Sequence, residues 1–117
     1  INYFVQNYPV VIPKIKKWAS SKNRWVRRAA AVSFISGSKN FPDKKHLSHI
    51  FWVAKKLLKD PDDLVQKGYG WMLKVASQNF QKEVFNFVMQ NKSQMPRTAL
   101  RYAIEKMPKR LKDKIMS

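Results

Sequence analysis

The chain has 117 residues and carries 24 lysines and arginines against seven acids, which gives a formal charge of +17. That length predicts one domain with a modest core, and the cation excess indicates an anionic partner, with nucleic acid ahead of an anionic membrane or an acidic protein. The chain has no cysteine, which excludes disulfides and thiolate metal sites, and no apolar run approaches the ~18 residues of a transmembrane helix.

Helical periodicity runs through the first half of the chain. One predicted helix covers about residues 8–19. A second follows Asn23, which is a good N-cap, and runs to about Ser36. A third opens at Phe41-Pro42-Asp43 and continues with apolar residues at helical spacing.

The fourth predicted helix, about 62–78, contains two close glycines. It follows Asp60-Pro61-Asp62-Asp63, which combines a stop, a cap and negative charge where the helix dipole favours it. Glycine inside a helix costs roughly 1 kcal/mol against alanine. Gly68 and Gly70 therefore indicate a close contact, either with another helix, which we favour, or with a ligand backbone.

The last third continues the helical pattern. A fifth helix carries the apolar residues of 84–89, and a sixth starts at Met95-Pro96 and stops at Pro108, which leaves a basic tail from Lys109. Sustained β-branched alternation is lacking, so strands are not expected. The sequence therefore predicts an all-α domain of about six helices in antiparallel pairs.

One cation recurs in register within three similar helical segments. Arg28, Lys67 and Arg101 each precede small or aromatic residues and are spaced 39 and then 34 residues apart. Such periods are typical of two-helix solenoid repeats, in which equivalent positions lie side by side. The pattern predicts an α-solenoid with a basic concave face.

Arg27 and Arg28 are adjacent and cannot serve the same purpose. Consecutive helical residues lie about 100° apart, so one arginine can face a phosphate while the other is merely solvated. The register with Lys67 and Arg101 favours Arg28. An arginine fork also suits a phosphate, because it can donate two parallel hydrogen bonds.

Tryptophans are interleaved with these cations, a mixture that serves nucleic-acid binding when the rings are exposed. Trp18, Trp25 and Trp52 have apolar neighbours and are predicted to be core. Trp71 lies four residues after Lys67, which places both on one helix face.

Catalytic and metal-binding signals are weak. His46 and His49 are spaced i, i+3, but no cysteine or acid continues that face, so no metal site is expected. The aspartates of loops resemble helix caps, and Glu83, Glu105 and Asp113 resemble surface charges. We therefore expect no catalytic acid within these residues and no cofactor.

Three segments resemble the DNA alkylation repair family, the HEAT-like-repeat alkylpurine DNA glycosylases. They are residues 18–30 (WASSKNRWVRRAA), 65–74 (VQKGYGWMLK) and 95–106 (MPRTALRYAIEK), in the family's order and spacing. The resemblance implies a HEAT-like α-solenoid that holds duplex DNA through its backbone. It further implies release of N3- or N7-alkylated purines, with an aspartate stabilising the charge that develops on the sugar.

The resemblance also implies roles for particular residues. Arg28 matches the arginine near the lesion phosphate, and Trp71 matches the aromatic at the lesion's backbone. The other cations expected on the DNA backbone are Arg27, Lys67, Arg101, Lys22 and Lys74. The family's catalytic aspartate would lie upstream of Ile1, so we expect residues 1–117 to be one HEAT-like domain from the C-terminal part of a longer chain.

The leading hypothesis is a glycosylase acting on double-stranded DNA that contains alkylated purines. We expect it to be monomeric and located in the bacterial cytoplasm with the nucleoid. A non-catalytic nucleic-acid-binding scaffold is the main alternative, and a protein-interaction scaffold is the third. Membrane-surface binding ranks last, because the aromatics are spread over all the helices.

Overall fold

The computed structural model describes residues 12–34 and 44–116. These residues form seven α-helices and a 3₁₀ turn at Lys92–Gln94, with no strand among them. The predicted all-α class is therefore confirmed. The helices are α1 (Ile12–Trp18), α2 (Arg24–Val32), α3 (Lys44–Leu57), α4 (Asp63–Asn79), α5 (Gln81–Asn91), α6 (Arg97–Ile104) and α7 (Lys109–Met116).

Some predicted boundaries lie outside the described residues. These are the first turn expected over 8–11 and the Phe41-Pro42-Asp43 start. The predicted end of the second helix near Ser36 is wrong, because this helix ends at Val32 with Ser33 as its C-cap. Within the described ranges, no helix is long and apolar enough to cross a membrane.

Two predicted caps start the helices that carry the candidate site. The Asn23 side chain accepts hydrogen bonds from the backbone N–H groups of Trp25 (2.8 Å) and Val26 (3.3 Å) at the start of α2. Asp62 does the same at the start of α4, accepting from Leu64 at 2.9 Å and more weakly from the next residue. Each cap satisfies backbone donors that the helix itself leaves unpaired and contributes about 1 kcal/mol.

Helix α4 packs against α2 in a parallel orientation. At the start of both helices, Arg24 Nε lies 3.5 Å from Asp62 Oδ2. About one turn later, the Arg28 side chain lies on Gly68. Successive contacts thus advance in the same direction along both chains.

On its opposite side α4 packs against α6, also in parallel. A Cβ at Gly70 would lie 2.8 Å from the backbone oxygen of Ala99, and Lys74 Nζ lies 2.9 Å from Glu105 Oε1. Gly70 is needed because the α6 backbone approaches too closely for a side chain, whereas Gly68 makes room for the Arg28 side chain of α2. The predicted close contact at Gly68 and Gly70 is therefore helix packing.

Helices α3 and α5 also contribute to the core around α4. Tyr69 of α4 is fully buried, and its hydroxyl donates a 2.7 Å hydrogen bond to the carbonyl oxygen of Leu58 after α3. Burial raises the pKa of this phenol. Phe51 of α3 and Phe87 of α5 stack with ring centroids 4.6 Å apart, which joins two outer helices.

The prediction that Trp25 and Trp52 are core residues is wrong. Trp25 is 59 % exposed and Trp52 is 42 % exposed, whereas Trp18 packs against the core. The physical reason is the direction in which each side chain leaves its helix. At 100° per residue, Trp25 lies about 140° from the buried Ala30, and Trp52 lies about 140° from the buried Leu57.

The basic tail expected after Pro108 is instead the helix α7. Leu111 and Ile115 form an i, i+4 apolar pair. Leu111 packs on the core, and Ile115 is only 2 % exposed. Lys92 Nζ also donates to the Ile115 carbonyl oxygen at 3.0 Å. This docking accounts for the seventh helix.

Candidate nucleic-acid interface

The three in-register cations lie on three neighbouring helices. Arg28 is on α2, Lys67 on α4 and Arg101 on α6, and α4 lies between the other two. Arg101 is exposed, and the side chains of Arg28 and Lys67 are partly exposed. The repeat register in the sequence therefore corresponds to a real lateral order of helices.

Arg28 has unmet hydrogen-bonding capacity. Its aliphatic stem lies on Gly68, and its Nε is shielded from solvent without a hydrogen-bond partner among the described residues. No described acid forms an ion pair with it. A buried donor without a partner is costly, and an anion approaching the guanidinium from the open side would stabilise it.

Arg27 is engaged within the chain instead. Its Nε donates to Asp60 Oδ2 at 2.8 Å, and one terminal nitrogen donates to the carbonyl oxygens of Ser21 (3.1 Å) and Lys22 (3.0 Å). The other terminal nitrogen lies 3.4 Å from Asp60 Oδ1. The expectation that the second arginine is merely solvated is therefore wrong, because Arg27 lies in an internal network. Its contact with the DNA backbone stays a prediction, and Arg28 is the arginine able to meet a ligand.

Along α4, three of the predicted contacts share one face. Lys67, Trp71 and Lys74 follow i, i+4, i+7 spacing. Lys67 pairs with Asp63 of the same helix at 3.0 Å, and this hydrogen bond raises the pKa of the lysine. The Trp71 ring is exposed. The ring therefore shares this helix face with two lysines and is open to solvent in part.

Lys74 joins α4 to α6 through two interactions. It pairs with Glu105 at 2.9 Å, and its Nζ lies 5.9 Å from the centroid of the Tyr102 ring. The ion pair lowers the pKa of the Glu105 carboxyl. Lys74 is therefore partly committed to positioning α6, although its charge remains close to the exposed Tyr102 and Trp71 rings.

Two exposed aromatics at this surface were missed by the sequence analysis. Tyr102 packs by its Cβ over Gly70 and leaves its ring exposed. Trp25 lies one turn before Arg28, and the Arg24 guanidinium carbon is 5.2 Å from its ring centroid. The sequence carried an indication for both rings. Trp25 lies about one turn before Arg28, and Tyr102 directly follows Arg101.

Lys22 lies at the edge of this group. Its side chain is exposed just before α2, while its backbone oxygen accepts the hydrogen bond from Arg27. The structure therefore brings Arg28, Lys67, Trp71 and Lys74 together on adjacent helices. It places Lys22 and Arg101 towards opposite sides of that group.

Acids near this surface are paired. Asp63 is held by Lys67, Glu105 by Lys74 and Asp60 by Arg27. No cluster of three metal-ligating side chains occurs in the ranges 12–34 and 44–116, and the His46 side chain lies outside what is described. The described residues thus form a surface of cations and exposed rings.

A family model described as DNA alkylation repair enzyme matches residues 1–107. The chain belongs to this family. The match contains all three segments on which the predicted resemblance rests, and that prediction is confirmed. No curated protein and no solved structure matches the chain.

The family match covers the residues of this surface. The cations and exposed rings on α2, α4 and α6 all fall within the matched residues, whereas α7 begins at Lys109, after the match ends. A DNA alkylation repair protein has an anionic partner of the kind that this surface suits.

Proposed function

We propose that this DNA alkylation repair protein binds duplex DNA by its backbone, through the exposed side of α2, α4 and α6. The observation that carries the proposal is Arg28, whose partly exposed side chain forms no ion pair with a described acid. A phosphate would accept charge-assisted hydrogen bonds from the terminal nitrogens of its guanidinium. Lys67 and Arg101 would extend the contact to neighbouring phosphates.

The architecture in this proposal is a HEAT-like α-solenoid with a basic concave face. It is supported by the parallel packing of α2, α4 and α6 and by the glycines that let these helices approach one another. Helices α1 and α3 pack behind them. Such a layer places equivalent residues at regular lateral intervals, which suits a ligand with a regular phosphate repeat.

The proposed activity of the complete protein is hydrolysis of the N-glycosidic bond of N3- or N7-alkylated purines. Alkylation makes the base a cationic leaving group, so catalysis mainly requires negative charge beside the oxocarbenium-like sugar and a placed water. The resemblance implies an aspartate for this role. In this proposal residues 1–117 supply DNA binding, with Arg28 and Trp71 at the backbone of the lesion.

The test is a fluorescence-anisotropy titration of an abasic-analogue duplex and its undamaged twin across a range of salt. The variant is Arg28→Met, which keeps an apolar stem over Gly68 but removes the guanidinium. Lys82→Gln on α5 is the matched control, because it removes one exposed cation away from this surface. We expect tighter binding to the abasic analogue, which Arg28→Met abolishes and Lys82→Gln leaves intact.

The same titration distinguishes the proposed function from the alternative, which is a non-catalytic nucleic-acid-binding scaffold. That alternative is favoured by the acids near the surface, each of which is engaged by a cation. Equal affinity for both duplexes with a steep salt slope would support it. Absence of binding at low salt would refute both DNA-binding functions.

A further inference from the structure

Helix α7 lies beside α6 on the side away from α4. Gly70 of α4 contacts Ala99 and Tyr102 of α6, whereas Arg101 and Ile104 of α6 face residues of α7. Helix α7 packs on α5 and faces α6 across a cleft. It therefore lies beside the end of the layer formed by α2, α4 and α6 without being a member of that layer.

The position of α7 is held by its own contacts. Ile115 is buried, and its carbonyl oxygen accepts the 3.0 Å hydrogen bond from Lys92. Leu111 packs on the core. Helix α7 also begins beyond residue 107, where the family match ends. It is therefore a docked element that the family match does not account for.

A cleft of about 250 Å³ separates α6 from α7. It is lined by Arg101 and Ile104 of α6, by Glu105 at the end of that helix, and by Lys112 and Met116 of α7. The volume corresponds to roughly eight water molecules at about 30 Å³ each, which is ample for a phosphodiester group. Ile104 and the exposed Met116 provide an apolar wall of the kind that a deoxyribose can contact.

The charges around this cleft favour an anion. Arg101 forms no ion pair with a described residue. The one lining carboxylate, Glu105, is held by Lys74 at 2.9 Å. Lys106 and Lys112 also act on Glu105. With Arg101, four cations thus surround a single paired acid.

We propose that the cleft between α6 and α7 is an additional phosphate site, in which Arg101 and Lys112 bind one backbone phosphate at the end of the DNA-binding layer. This inference rests on the proposed function. It extends the duplex contact beyond the family-matched residues and assigns α7 a role in DNA binding as well as in packing.

The central comparison is Lys112→Gln against Lys109→Gln. Both variants remove one lysine charge from α7, but Lys109 is exposed, pairs with Asp113 at 3.1 Å and does not line the cleft. We expect Lys112→Gln to reduce the log–log salt slope of duplex binding by about 0.9. If Lys112→Gln and the unaltered protein bind equally at 1 M salt, the variant should bind roughly eightfold more weakly at 0.1 M salt. The control should leave the slope unchanged.

A double-mutant cycle tests whether one phosphate is shared. Arg101→Gln and Lys112→Gln should be less than additive when combined, because either change removes the same contact. Additive effects would overturn the shared site. Equal slopes for Lys112→Gln and Lys109→Gln, with Arg28 dependence retained, would refute this inference while leaving the proposed function standing. If the unaltered protein binds neither duplex, both this inference and the proposed function are refuted.

Discussion

The Arg28 side chain lies on Gly68, where an added Cβ would be 3.0 Å from Arg28 Cγ. Two residues later, a Cβ on Gly70 would be 2.7 Å from Tyr102 Cβ and 2.8 Å from the Ala99 carbonyl oxygen. One glycine therefore supports a flexible side chain, and the other admits a neighbouring backbone. This difference predicts that the same substitution costs more stability at Gly70 than at Gly68.

Gly70→Ala should destabilise the protein by about 1–2 kcal/mol. Alanine has better helix propensity by about 1 kcal/mol, but the new methyl group would overlap a backbone oxygen, and such overpacking costs ~1–3 kcal/mol or more. Chemical denaturation followed by far-UV circular dichroism measures the change. Unaltered stability would show that α4 and α6 can separate freely.

Gly68→Ala should change stability by less than about 1 kcal/mol, since Arg28 Cγ can shift and the propensity gain offsets the contact. It should nevertheless weaken duplex binding, because the displaced guanidinium no longer points at its phosphate. Parallel denaturation and anisotropy titrations check both parts. Binding equal to that of the unaltered protein would contradict the proposed role of this contact.

Arg27→Ala should cost roughly 2–4 kcal/mol of stability. The Asp60 side chain is only 8 % exposed and would lose its cation, and breaking a buried pair costs about 3–5 kcal/mol. We place the value lower because the Arg27 side chain is 19 % exposed. Denaturant unfolding provides the measurement.

Arg24→Ala is the control for Arg27→Ala. Arg24 contacts Asp62 at 3.5 Å with half its side chain exposed, so its loss should cost under about 1 kcal/mol. Equal destabilisation by the two variants would contradict the assignment of Arg27 to an internal network.

Trp71→Leu should leave stability nearly unchanged, because the ring is exposed. If the ring contacts the lesion's backbone as proposed, binding to the abasic-analogue duplex should weaken by about 1–3 kcal/mol, the range for stacked aromatics on nucleic acid. Anisotropy titration measures this. Trp52→Leu on α3 is the matched control and should have no effect on DNA affinity.

Glu105 should titrate below its ordinary pKa of 4.5, chiefly because Lys74 donates a hydrogen bond to the carboxylate. The folded-state pKa is depressed, so the stabilisation is present above the unfolded-state pKa and is lost as pH falls through the folded-state value. NMR titration of the carboxyl carbon measures the midpoint. Lys74→Met should return it towards 4.5, whereas Lys82→Gln should not move it.

Local interactions were predictable from the sequence because they involve neighbours in the chain. Asn23 and Asp62 cap helices through backbone groups two and three residues away, and such motifs leave direct signatures. The apolar neighbours of Trp25 and Trp52 were misleading, since adjacent residues face different directions on a helix. The α7 helix was missed because only two apolar residues, Leu111 and Ile115, carry its docking face.

From the sequence we could infer the all-helical class, the close approach at Gly68 and Gly70 and the register of Arg28, Lys67 and Arg101, because these follow from local propensity, side-chain size and spacing. The family followed from the resemblance of three segments. The internal pairing of Arg27 became visible in the folded chain, because its partner Asp60 lies 33 residues further along. The placement of Lys112 beside Arg101 likewise depends on the docking of α7, and packing between distant segments leaves no pattern within either segment alone.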